Sequence, residues 1–172
     1  EAGIDSFKIE GRMKTALYVA TVARTYRKAI DDYLESPKKY EENMDWYLEQ
    51  IGSCTHREFT TGFYFGKPGE ESQIYDASTY VKEYTYLGMI GDERDGLCRI
   101  EQKNKFSVGE KIEIMKPDGR NVDVTVKRIV NEEGQEQESA PHARQIVYVE
   151  LDEKAERYDL LRRAEEADTF IP

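Results

Sequence analysis

From residue 82 onward the sequence leaves room for strands and turns but for no long helix. Short strand-like runs at 82–91, 97–102, 111–115, 122–131, 145–151 and 158–162 are separated by Asp95-Gly96, Val108-Gly109-Glu110, Pro117-Asp118-Gly119 and Glu133-Gly134, each suited to a reversal of the chain. Six strands in about eighty residues predict a small antiparallel barrel, closed or nearly closed, because closure removes unpaired sheet edges. Residues 132–143 read as a polar loop between strands.

The N-terminal part has a different period. Residues 4–9, Ile-Asp-Ser-Phe-Lys-Ile, alternate as a short strand does, and Glu10-Gly11-Arg12 turns the chain. Over 13–34 apolar groups recur at Ala16, Val19, Ala20, Ala23, Tyr26, Ile30 and Tyr33, the spacing of a one-sided helix stopped by Ser36-Pro37. A lone strand–turn–helix unit cannot bury both faces of its strand, so these residues read as part of a parallel α/β sheet or barrel. Residues 38–52 predict a second helix, with Tyr40, Met44, Tyr47, Leu48 and Ile51 on one face and Gly52 as its stop. Residues 56–68 crowd Phe59, Phe63, Tyr64 and Phe65 between polar residues and predict an extended arm, followed by a polar linker over 69–79. The expected class is α+β: a helical and aromatic connector over 1–79, a β-barrel domain over 80–163 and a tail over 164–172.

Composition narrows the function classes. The 172 residues carry a formal net charge of −10, and 12 Tyr, 6 Phe and Trp46 supply bulk for a core, which argues against wholesale disorder. No apolar run reaches the length of a membrane-spanning helix. Cys54 and Cys98 lie far apart without Cys-x-x-Cys spacing, so no metal is expected from them, and so sparse a cysteine set points to a reducing, cytoplasmic setting. The chain opens Glu1-Ala2-Gly3 with no initiator Met and no signal-peptide pattern, which predicts an excised piece of a longer protein. Neither His56 nor His142 has the partners of a nucleophilic triad, and no His-Glu-x-x-His occurs. Arg12, Lys14, Arg24, Arg27 and Lys28 follow one another with no acid between them, a locally positive helix that is equally an ordinary solvated face.

The run Phe7-Lys8-Ile9-Glu10-Gly11-Arg12-Met13-Lys14, continued by Tyr18-Val19-Ala20-Thr21-Val22, Tyr26-Arg27 and Ala29-Ile30-Asp31, resembles the C-terminal part of peptidase family U32, the collagenase-like proteases. His56-Arg57, Thr60-Thr61-Gly62-Phe63 and Phe65-Gly66-Lys67-Pro68 resemble the same family's connector. Val108-Gly109-Glu110-Lys111-Ile112-Glu113-Ile114 with Pro117-Asp118-Gly119 resembles its C-terminal domain, and more loosely the second, β-barrel domain of elongation factor Tu. The resemblance implies that residues 4–34 are the last strand and helix of a TIM-type catalytic barrel, absent here, and that this chain alone is inert. It also implies an iron–sulfur cluster in the missing N-terminal part, with no cofactor in this region, since neither Cys54 nor Cys98 matches the family's cysteines. Family members are named as proteases with hydrolase activity or act in hydroxylation of RNA, including the tRNA wobble uridine; the tRNA branch is the nearer likeness.

In a TIM barrel, residues just past the end of a strand face the active site, so the resemblance makes Glu10, Arg12 and Lys14 the catalytic-face candidates. Arg12 beside a helix N-terminus suits an anion, and a structural Glu10–Arg12 contact suits the same spacing. His56, Arg57, Phe59, Phe63, Tyr64 and Lys67 are the substrate-binding candidates: cations for RNA phosphates beside aromatic platforms for bases. The same aromatics would equally glue one domain to another. Lys103 and Lys105 beside Phe106, or Lys127 with Arg128, form weaker basic patches on an otherwise acidic barrel. Three roles therefore stand: tRNA positioning, peptide binding along a sheet edge, and an interaction or dimerisation module.

Overall fold

The computed structural model describes residues 3–54, 62–69 and 83–165. Among the described residues three helices come first: α1 (Ala16–Glu35), α2 (Pro37–Glu42) and α3 (Met44–Gly52). Thr15 caps α1, its hydroxyl accepting from the Tyr18 N–H at 3.3 Å. Ser36 ends α1 and caps α2, where Pro37 takes the first turn, a position that needs no N–H donor. The helix expected over 38–52 is thus broken in two at Asn43.

Nine strands follow among the described residues: β1 (Tyr84–Arg94), β2 (Leu97–Gln102), β3 (Phe106–Ser107), β4 (Lys111–Met115), β5 (Asn121–Asn131), β6 (Glu136–Gln137), β7 (Ser139–Ala140), β8 (Ile146–Leu151) and β9 (Leu160–Ala164). Six of them close an antiparallel barrel in the order β4-β9-β1-β2-β8-β5, with β5 returning to β4. The two-residue strand β6 adds to β5, and β3 pairs with β7. Residues 132–143, expected as a loop, therefore hold β6 and β7; pairs this short carry no periodicity to read.

Period-two alternation builds the barrel core. Val124 and Val126 point inward, then Lys127-Arg128 insert an extra residue, the register against β8 shifts, and Ile129 returns to the core. Leu87, Ile100, Phe106, Ile114, Val147, Val149 and Leu161 are fully buried with them. On β1 a second irregularity falls between Tyr86 and Gly88, and a Cβ on Gly88 would lie 2.6 Å from the Ile100 side chain and 2.9 Å from the Glu101 carbonyl oxygen. Only glycine lets β1 and β2 approach so closely.

Residues 4–9 form no strand. A strand is held by a neighbour's hydrogen bonds, and among the described residues none lies alongside; Ile4, Phe7 and Ile9 stay 64%, 58% and 38% exposed. The Phe7 ring instead lies 6.2 Å from that of Tyr26 on α1. The part of the expected arm that is described, 62–68, is a turn closed by the Gly66 N–H on the Phe63 carbonyl at 3.2 Å, since glycines at 62 and 66 take positive φ and reverse the chain. The sheet also runs further than 158–162: β9 reaches Ala164, and the Glu165 N–H donates to the Glu83 carbonyl at 2.7 Å.

Candidate functional site

Helix α1 turns its polar side to the rest of the molecule. Thr21, Arg24, Thr25 and Asp32 are buried and Lys28 half-buried, all on one stripe at three- and four-residue spacing. The face expected to be core lies opposite: Val19 and Tyr26 are 42% and 44% exposed, Ala16 and Ala23 are exposed, and Ala20, Ile30 and Tyr33 are only half-buried. The barrel explains this reversal. Its apolar interior is already closed, so what it offers the helix is the β4–β5 turn, a set of backbone carbonyls that only hydrogen-bond donors can cover.

Arg24 is the donor at that junction. Its Nη1 donates to the carbonyls of Lys116 at 3.0 Å and Arg120 at 3.4 Å; its Nη2 donates to Gln50 Oε1 at 2.6 Å and Asn121 Oδ1 at 2.9 Å. The Trp46 ring lies 5.8 Å away on one side, with Lys28 at 5.9 Å from the same ring. Thr21 Oγ1 donates to Met115 Sδ at 3.3 Å. Burial first, and the Arg162 guanidinium second, pull Arg24 down to about 10, so it stays charged at neutral pH. Arg162 is itself buried, paired with Glu113, with its guanidinium 3.7 Å from the centre of the Tyr84 ring.

A second junction ties the helices together. Asp32 is buried and accepts from the Tyr47 hydroxyl at 2.6 Å and Asn43 Nδ2 at 3.0 Å, with Lys28 Nζ at 2.9 Å and Lys39 Nζ at 3.3 Å. Burial alone would raise its carboxyl, but the Tyr47, Lys28 and Lys39 contacts outweigh it and hold Asp32 at about 2.

The residues singled out from sequence fall elsewhere. Glu10, Arg12 and Lys14 are exposed at the approach to α1. Glu10 Oε1 accepts from the Arg12 backbone N–H at 2.8 Å, the local turn contact, and Lys14 Nζ lies 5.3 Å over the Tyr18 ring. Phe63, Tyr64 and Phe65 project from the 62–66 turn at 78%, 85% and 82% exposure, with Tyr64 and Phe65 edge to face, and Lys67 beside them is exposed. His56, Arg57 and Phe59 lie outside the described residues. Sequence reasoning named Arg24 only within a locally positive helix and Trp46 only as core bulk, and passed over Asp32; the polar stripe Thr21, Arg24, Thr25, Lys28, Asp32 was the signal that could have placed Arg24 and Asp32.

An iron–sulfur cluster is held by cysteine thiolates, typically four. This chain has Cys54, buried just past α3, and Cys98, half-buried on β2, and burial pushes both thiols up. These two residues do not fit a cluster. Among the described residues no group of three or more His, Cys, Asp or Glu side chains is placed to hold a metal, and no helix is long and apolar enough to cross a membrane.

Residues 1–74 match the model of peptidase family U32, and residues 82–162 match that of the peptidase family U32 C-terminal domain. The tRNA hydroxylation protein P1 of Bacillus subtilis is 37% identical over 165 residues, covering 95% of this chain and 39% of that protein. The tRNA hydroxylation protein P of Escherichia coli is 35% identical over 164 residues, 94% of this chain and 35% of that one. A collagenase of Porphyromonas gingivalis is 33% identical over 120 residues, 68% of this chain and 33% of that one. The chain thus spans between a third and two fifths of the length of these relatives. Among solved structures, the C-terminal domain of a Geobacillus thermoleovorans protein described as a U32 peptidase is 27% identical, covers 49% of this chain and 93% of that one, and superposes with a TM-score of 0.41.

Proposed function

We propose, from the premise that the chain belongs to peptidase family U32, that it is the C-terminal, substrate-positioning region of a cytoplasmic enzyme acting in tRNA hydroxylation. The observation that carries this reading is the likeness to the tRNA hydroxylation protein P1, which runs over 95% of the chain, whereas the likeness to the collagenase runs over 68%. The exposed Phe63-Tyr64-Phe65 turn with Lys67 supports it. Single-stranded RNA is gripped by stacking bases on aromatic rings while cations meet the phosphates, and these rings have more than three quarters of their surface open. His56, Arg57 and Phe59 would extend the same surface. Residues 81–172 carry more acids than bases, which favours a local grip over a general basic footprint.

The exposed apolar side of α1, with Ile4, Phe7, Ile9 and Met13, is the surface we assign to the catalytic barrel of a longer family protein, and Glu10, Arg12 and Lys14 would then face its active site. On this reading the chain by itself is inert, and hydroxylation or peptide cleavage by it would overturn that. The peptidase reading needs a sheet edge for an extended peptide. The six barrel strands close on themselves, so the edges among the described residues belong to two-residue strands.

The test is a fluorescence titration of bulk tRNA at two salt concentrations. Base stacking contributes about 1–3 kcal/mol per base, so Tyr64→Ala should weaken binding roughly 5- to 150-fold, while Arg57→Ala and Lys67→Ala should flatten the salt dependence. Absence of binding at low salt, or binding untouched by all three variants, removes tRNA positioning from this surface. Salt-insensitive binding of gelatin instead would favour the peptidase reading.

A further inference from the structure

A barrel joined to a helical unit by a polar contact is ordinarily free to swing, because domains stay fixed when the interface between them is large and apolar. Here the contact is polar and small, yet it is directional. We propose that Arg24 is a pin that fixes the barrel's orientation on the helical unit, so that the two form one rigid bracket. This deepens the proposed function, on which it rests: a region that positions a substrate must itself be held at a set angle.

The guanidinium has four terminal protons, and four oxygens receive them: the carbonyls of Lys116 and Arg120, Asn121 Oδ1 on the barrel, and Gln50 Oε1 on α3. What remains is Nε, which is buried without a partner. A planar fork meeting acceptors on three elements fixes rotation as well as distance, which a lysine ammonium or an apolar side chain in the same place would not. Burying an arginine is a poor way to gain stability, and its better-attested use is to select one geometry over near alternatives.

The turn that Arg24 grips is held rigid from behind. Lys116 Nζ pairs with the buried Asp159 Oδ2 at 2.8 Å, and the same carboxylate oxygen accepts from the Glu156 N–H at 2.8 Å. The Lys116 N–H closes the turn on the Arg120 carbonyl at 2.9 Å. Trp46 completes the fit: a Cβ on Gly119, whose φ is +96°, would lie 3.0 Å from Lys28 Cδ and 3.4 Å from the indole. The turn slides under the ring because it carries no side chain there.

The experiment is backbone nitrogen relaxation on the full chain, comparing amides of α1 to α3 with those of the barrel strands. The wild type should show one rotational correlation time for both sets. Arg24→Ala should give two shorter ones with strand chemical shifts retained, and Arg24→Lys should behave like Arg24→Ala. Gly119→Ala pushes against Lys28 and Trp46 from the barrel side without altering a helix residue, and should also give two; it decides the matter if Arg24→Ala fails to fold. Two correlation times in the wild type, or a single one retained in Arg24→Ala or, where that does not fold, in Gly119→Ala, overturns the pin. The tRNA titration on the same samples separates the two ideas: a wild type that tumbles as one body but ignores tRNA keeps the pin and loses the substrate.

Discussion

Asp32→Asn isolates the electrostatic part of the helical junction. The carboxyl sits at about 2 against an ordinary 3.8, and at about 1.36 kcal/mol for each pH unit that depression is worth about 2–3 kcal/mol of stability at neutral pH. An asparagine can still accept from Tyr47, but its amide turns donors towards Lys28 and Lys39, which are partly open to water and recover some hydration. The expected loss is therefore about 2 kcal/mol, or about 4–8 °C in Tm for a chain of this size. Because folding lowers this carboxyl, its contribution is whole above about pH 4 and disappears as the pH falls towards 2. Urea unfolding followed by helix circular dichroism, run on both proteins from pH 7 down to 2, reads the difference directly. A gap below about 0.5 kcal/mol at pH 7, or one that does not shrink on acidification, would refute the reasoning.

Two further substitutions test the barrel. Gly88→Ala drives a methyl into the Ile100 side chain and the Glu101 backbone, and should cost about 1–3 kcal/mol by chemical denaturation; a neutral result would mean that β1 relaxes freely there. Asp159→Ala leaves the Lys116 ammonium buried and unpaired and should cost about 3–5 kcal/mol, whereas replacing both residues with apolar ones of similar volume should recover most of it. Equal losses in the single and double variants would show that the stranded Lys116 ammonium is not the source of the cost.

The barrel was legible because its strands bury one face. Lys111–Met115 and Leu97–Gln102 are bounded in the structure where the turn residues beside them place their ends, whereas the irregularity in β5 falls at Lys127-Arg128, read from sequence only as a basic patch. The pairing of Phe106–Ser107 with Ser139–Ala140 was not legible, since two residues set no period. Helix α1 was located correctly but its faces were reversed. The apolar-side-in rule presumes that the neighbour is an apolar core, and here the neighbour is a turn whose carbonyls call for Arg24. The exposed aromatic turn was read correctly as a concentration of rings, though Gly62 and Gly66 bend it where an extended arm was expected. The deeper junctions involve Arg24 with residues more than ninety positions away, a distance over which local pattern carries no information.

Strands β1 and β9 are neighbours in the barrel, and the backbone of Glu165 bonds to that of Glu83. The chain therefore arrives at and departs from the barrel at the same spot, and about eighty residues of sheet hang from it as a closed excursion of the polypeptide. Such a unit could be spliced into a surface loop of an unrelated protein with little distortion of the host. For the same reason a circularly permuted barrel, its old ends bridged by a few residues and new ones opened at the Glu133-Gly134 turn, should keep every ladder of the ring intact.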